Sequence, residues 1–134
     1  MGQQQLLLIV LGVIVVGIAV VVGISLFNAN AETSTQDSLV SQGTNLGAMA
    51  QQFYKKPVSM GGGGNNFTGG QGFTAFFDNL PSQLRKSSDA DWTNPAPVVT
   101  DSVVTLTAKP VDASYTWTVV TTVTPTQINS TVVQ

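Results

Sequence analysis

The sequence predicts an α+β fold, a long N-terminal hydrophobic α-helix followed by a small C-terminal head built on an antiparallel β-sheet. Three observations carry that expectation. From Leu6 to Phe27 the chain is apolar apart from Gly12, Gly17, Gly23 and Ser25. The next thirty residues keep an apolar stripe at helical spacing until Pro57. From Pro97 onward, β-branched stretches alternate with breaks at Lys109-Pro110-Val111-Asp112 and Thr124-Pro125.

The apolar run comes first. At about 1.5 Å per residue it makes a helix of roughly 33 Å, long enough to cross the ~30 Å hydrocarbon core of a bilayer. Its large side chains are Leu6, Leu7, Leu8, Ile9, Val10, Leu11, Val13, Ile14, Val15, Val16, Ile18, Val20, Val21, Val22, Ile24, Leu26 and Phe27. The first ionisable side chain in the chain is Glu32 and the first basic one is Lys55. Gly12, Gly17 and Gly23 lie five and six residues apart, so they are not expected to share one face as a G-x-x-x-G pair does. They fit either close approach of neighbours from several directions or the general frequency of glycine in membrane helices.

Past Phe27, Leu39, Leu46, Met49 and Phe53 recur at gaps of 7, 3 and 4, which places them on one stripe to pack against the head. Lys55 and Lys56 fall in the last turn, where cations complement the macrodipole, and Pro57 stops the helix. One helix is therefore expected within residues 3–56, from about Gln4 to about Lys56 and weakest around Gly43 and Gly47. A helix of about fifty residues spans roughly 80 Å. A head of some seventy-seven residues cannot cover it, so its apolar half must find lipid or other copies of the chain.

Residues 57–96 form a connecting region rich in glycine and aromatics. Seven glycines between Gly61 and Gly72 predict a flexible loop or a tightly turning surface segment. Phe67, Phe73, Phe76 and Phe77 are expected to fold it back onto the helix stripe, or to offer a contact surface. Gly70 to Ala75 formally matches G-x-G-x-x-A, but no strand precedes it and no βαβ unit surrounds it, so it does not indicate a nucleotide site. Trp92, Pro95 and Pro97 mark the entry to the strands, which occupy residues 97–134. Three or four are expected, including Val103–Thr107, Ser114–Val123 and Gln127–Val133, with one face on the helix. Two N-x-S/T triplets, beginning at Asn66 and Asn129, are candidate glycosylation sites.

Composition excludes several functions. There is no cysteine and no histidine, which removes disulfides, thiolate metal sites, the commonest metal ligand and the commonest general base. Neither enzymatic activity nor a cofactor is expected. Seven acids and five bases are scattered without runs, so no basic patch exists for nucleic acid. Low charge with abundant Thr and Ser suits a surface outside the cell or packed against copies of itself.

Three readings of the N-terminus follow. A secretory signal peptide would be cut after Ala31, because Ala29-Asn30-Ala31 fits an A-x-A site, although the run is long and lacks a basic start. A plain single-pass anchor explains the length but not the missing basic flank. The third rests on Gly2 followed by Gln3-Gln4-Gln5 and an unbroken apolar helix, which resembles the N-terminus of type IV pilin-like proteins, bacterial or archaeal.

The resemblance covers roughly residues 1 to 56. It implies a prepilin peptidase cutting between Gly2 and Gln3, with residues 1–2 as the leader. It also implies a helical homo-oligomer whose core is built from the Leu6 to Phe27 side chains, and a precursor held in the cytoplasmic membrane. An assembly machine would extract that precursor into an extracellular filament serving adhesion or motility. The glutamate usual at the fifth mature position is absent: Leu7 stands there after cleavage at Gly2, and Gln5 if Met1 is the mature end. Subunit register would then come from glutamine hydrogen bonds rather than from a carboxylate paired with an amine.

Overall fold

The computed structural model describes residues 2–134. Helix α1 runs from Gly2 to Lys55, followed by a 3-10 turn at Val58–Met60 and the short helices α2 (Gly72–Asp78) and α3 (Ser82–Arg85). Five strands complete the chain: β1 (Ala90–Asp91), β2 (Val98–Val99), β3 (Val104–Pro110), β4 (Thr118–Val123) and β5 (Ile128–Val133). All pair antiparallel in the order β1-β3-β4-β5, with β2 joined to the β3 edge that β1 also uses. The α+β class and the helix-then-sheet order are those the sequence predicts.

The chain divides into two compact units, residues 2–34 and residues 35–134. The second has a core of its own. Along β3 and β4 the side chains alternate, with Val104, Leu106, Ala108, Val119, Thr121 and Val123 turned inward and Thr105, Thr107, Thr118 and Thr122 on the other face. Leu39, Leu46, Ala50 and Phe53 from the second half of α1 are buried in the same core. Met49 is half-buried against it.

The helix does not weaken at Gly43 or Gly47, contrary to the sequence expectation. Both are buried within an unbroken α1. A Cβ on Gly43 would lie 2.8 Å from Trp92 Cη2 and closer still to the Thr121 hydroxyl, and one on Gly47 would lie 2.8 Å from Ile128 Cγ2. The two glycines, four apart, form a notch that lets the sheet approach the helix axis. This close packing outweighs the ~1 kcal/mol that each glycine costs a helix relative to alanine.

A polar group sits beside the notch. Gln42 Oε1 accepts hydrogen bonds from Trp92 Nε1 at 3.3 Å and from Ser87 Oγ at 3.1 Å, and its Nε2 donates to Ser38 Oγ at 3.4 Å. Below Gly43, the Thr121 and Ser130 hydroxyls pair at 2.9 Å. Gln42→Leu leaves the buried Trp92 indole N–H without its acceptor, and a loss of about 2 kcal/mol is expected in urea unfolding of the head. An unchanged midpoint would show that the pair contributes nothing.

The glycine segment is neither a free loop nor a purely external one. It folds over the C-terminal end of α1, where helix carbonyls lack intrahelical donors. Gly63 N donates to Phe53 O at 2.8 Å, Asn65 N to Tyr54 O at 2.7 Å and Gly64 N to Lys56 O at 2.9 Å. A Cβ on Gly62 or Gly63 would collide with the backbone carbonyls of Lys56 and Asn66, so only glycine fits. Phe73 and Phe76 then meet Phe53 with centroids 5.9 and 5.0 Å apart, and Phe67 packs on Tyr54 at 4.8 Å.

Other boundaries shift for identifiable reasons. Lys56 lies just beyond the helix. β3 continues through Lys109 and Pro110 rather than breaking there, because Pro110 ends the strand opposite Ala90. The expected Ser114–Val123 strand starts only at Thr118, since Asp112 Oδ1 accepts from Ser114 N at 2.9 Å and Ser114 Oγ at 2.6 Å and holds a turn. Thr124 and Gln127 close the β4–β5 turn, and Gln51 Nε2 donates to Thr124 O at 3.0 Å.

Candidate functional site

The first half of α1 is where the chain has unsatisfied surface. All seventeen large apolar side chains from Leu6 to Phe27 are at least half exposed, from 50 % at Val22 to 72 % at Phe27. They occur at successive positions, so at 100° per residue they surround the axis and leave no polar face. A helix apolar on all sides is stable only inside something else. Fully burying side chains of this kind is worth about 1.5–3 kcal/mol each relative to water, which summed over the run is on the order of tens of kcal/mol.

Polar groups within the run are silenced locally. The Ser25 hydroxyl donates to Val21 O at 3.1 Å, so it needs no outside partner. No Asp, Glu, Lys or Arg lies between Gly2 and Ala31. By length and composition, this is the one helix among the described residues able to cross a membrane.

Regular helix geometry revises the reading of the glycines. Gly12 and Gly23 are eleven residues apart, close to three full turns, so their directions differ by only about 20°. Ala19 lies near the same line, four residues before Gly23. Gly17 faces elsewhere. Nothing lies within 4 Å of a Cβ placed on Gly12, Gly17 or Gly23, and a second helix can come closest along the Gly12–Gly23 line.

The remaining sequence-derived residues fall as follows. Gly2 and Gln3 are exposed and helical, while Met1, the other half of the expected leader, lies outside the described residues. Gln5 and Leu7, the alternative fifth positions, are exposed on the same helix. Ala29-Asn30-Ala31 is helical, not extended, and the compact head begins beyond it at Thr35. Leu39, Leu46 and Phe53 come together with Gly43, Gly47 and Ala50 in the head core, and Met49 lies at its margin. Asn66 is half-buried before α2, and Asn129 is exposed on β5.

Among the described residues no three His, Cys, Asp or Glu side chains cluster. The Gly70–Ala75 stretch opens the seven-residue α2, whose Phe73 and Phe77 are buried. Hydrogen bonds from the Thr93 hydroxyl and amide, with Lys86 Nζ 3.3 Å away, hold the Asp91 carboxyl below its ordinary 3.8. Asp112 is lowered in the same direction by Ser114. Both carboxylates brace turns.

Sequence reasoning missed Gln42, the Gly43–Gly47 notch and Trp117, whose buried indole N–H has no partner in the structure. The notch had a signal: two glycines four apart on the face that also carries Leu39, Leu46 and Ala50. The arrangement as a whole is a long N-terminal apolar helix followed by a small antiparallel sheet, with seventeen of its exposed large apolar side chains in one segment, residues 6–27, and the others scattered over the head. No protein-family model, curated protein or solved structure matches the chain.

Proposed function

We propose that the chain is the repeating subunit of a type IV pilus-like extracellular filament. The single observation that supports this best is the exposure of seventeen large apolar side chains around every face of one helix, with no ionisable side chain before Glu32. Lipid can cover that surface in a precursor, and neighbouring copies can cover it in a polymer. The Gln3-Gln4-Gln5 start and the clean change to a polar helix after Phe27 favour the polymer.

In this reading a prepilin peptidase cuts after Gly2, and an assembly machine moves the subunit from the cytoplasmic membrane into the filament. Residues 6–27 supply cohesion by apolar burial and close packing. The head forms the outer layer, where it serves adhesion or motility. No carboxylate at the fifth position means that register between subunits depends on helix packing and on glutamine hydrogen bonds.

Two other readings differ from this one in where the chain begins and where it is found. N-terminal peptide mass spectrometry on material sheared from cells separates them. A start at Gln3 in sheared filaments is the expected result. An intact start confined to membranes would replace the filament with a plain anchor. A start at Glu32 would replace it with a secreted module, in which residues 35–134 form one compact unit.

A further inference from the structure

The two N-x-S/T triplets sit in opposite surroundings. Asn66 Oδ1 accepts hydrogen bonds from Thr68 N and Thr68 Oγ1, both at 2.8 Å. The middle residue, Phe67, is fully buried, its N–H donating to Asp101 O at 3.1 Å and its carbonyl accepting from Phe73 N at 2.8 Å. Presenting this triplet to a transferase would require drawing Phe67 out of the aromatic cluster.

Asn129-Ser130-Thr131 is presented without any such rearrangement of the core. It lies in β5, which pairs with β4 alone and forms one edge of the sheet. Asn129 and Thr131 are both exposed on the outer face, and only Ser130 turns inward, to Thr121. Among the described residues no hydrogen bond engages the side-chain amide of Asn129.

The edge itself lacks the usual protection. β5 has six residues, Ile-Asn-Ser-Thr-Val-Val, with no charge and no proline, and Val132 and Val133 are 37 % and 47 % exposed. The opposite side of the sheet is interrupted, because β1 and β2 are two residues each and Pro95 and Pro97 lie between them. Bare edges of this kind recruit further strands unless something blocks them. Only 12 of 134 residues are Asp, Glu, Lys or Arg, counting seven acids and five bases, so charge does little to keep the head apart from its copies.

We infer that Asn129 carries an N-linked glycan and that Asn66 does not. The donor is an oligosaccharide joined through phosphate to a membrane lipid. Asn129 Nδ2 bonds to the anomeric carbon, the bond from that carbon to the phosphate oxygen breaks, the lipid phosphate leaves with the electron pair, and the amide gives up one proton. The attached sugar adds bulk and hydration to the one unguarded sheet edge. The inference rests on export of the head, which belongs to the proposed function.

The test is glycopeptide mass spectrometry on the chain isolated from the cells that make it, in sheared and membrane fractions. The expected result is a sugar mass on the Asn129 peptide, lost in Asn129→Gln and Thr131→Ala and kept in Thr131→Ser and Asn66→Gln. Sugar on Asn66, or a sugar-free Asn129 in sheared filaments, would overturn the assignment while leaving the filament intact. Sugar on Asn129 in a chain that never enters filaments would uphold the assignment and sink the filament. A sugar-free chain that is never exported would sink both.

Discussion

A Val15→Asp chain is expected to form no surface filaments while residues 35–134 keep their fold. Val15 lies near the middle of the apolar run, is 55 % exposed, and has only apolar or glycine neighbours for eight residues on either side. A carboxylate at the centre of a membrane-embedded helix costs about 2.5–3.5 kcal/mol on insertion scales. In a polymer the penalty recurs at every copy, and no basic side chain exists before Lys55 to offset it. Electron microscopy of sheared material reads the outcome, and circular dichroism of the purified chain reads the head. Measuring membrane-bound chain separates failed insertion from failed assembly, with Val15→Leu as a variant that keeps filaments. Normal filaments from the Val15→Asp strain would mean that this surface is not the core.

Gly43→Leu acts on the other unit and is expected to lower head stability by about 3 kcal/mol, the upper part of the range for overpacking a close-packed core. For one hundred residues that is a fall in Tm of roughly 12–24 °C. The cause is geometric: even a Cβ meets the Trp92 ring at 2.8 Å and crowds Thr121, and both are fully buried with nowhere to move. Gly12→Ala supplies the contrast. Nothing lies within 4 Å of its Cβ, and alanine favours the helix by about 1 kcal/mol. Thermal unfolding of both variants checks the pair. If Gly43→Leu unfolds like the parent chain, the notch does not set how close the sheet comes to the helix.

Much of the organisation was legible because it follows from periodicity and composition. An unbroken apolar run without charge has one compact solution, a helix, since every backbone group must find a partner within the segment. The stripe at Leu39, Leu46, Met49 and Phe53 marked the packed face because the 3.6-residue repeat is local information. The β-branched stretches between their breaks located β3, β4 and β5, because that propensity is local too. Ser114 to Trp117 was misassigned because Asp112 competes for the backbone with a side chain, a contest that β-propensity does not register.

By itself, then, the sequence determined that this protein joins an apolar helix to an antiparallel head, that it contains neither cysteine nor histidine, and that its apolar run needs an environment the rest of the chain cannot supply. The tertiary structure decided the remainder. It turned Gly43 and Gly47 from weak points into the docking notch, and it made the glycine segment a cover for the end of α1. It also left one N-x-S/T triplet fastened into the core and the other open on a bare edge. Each of these depends on which backbone passes within a few ångströms of which side chain, a relation between residues as far apart as Gly47 and Ile128 that no local pattern encodes.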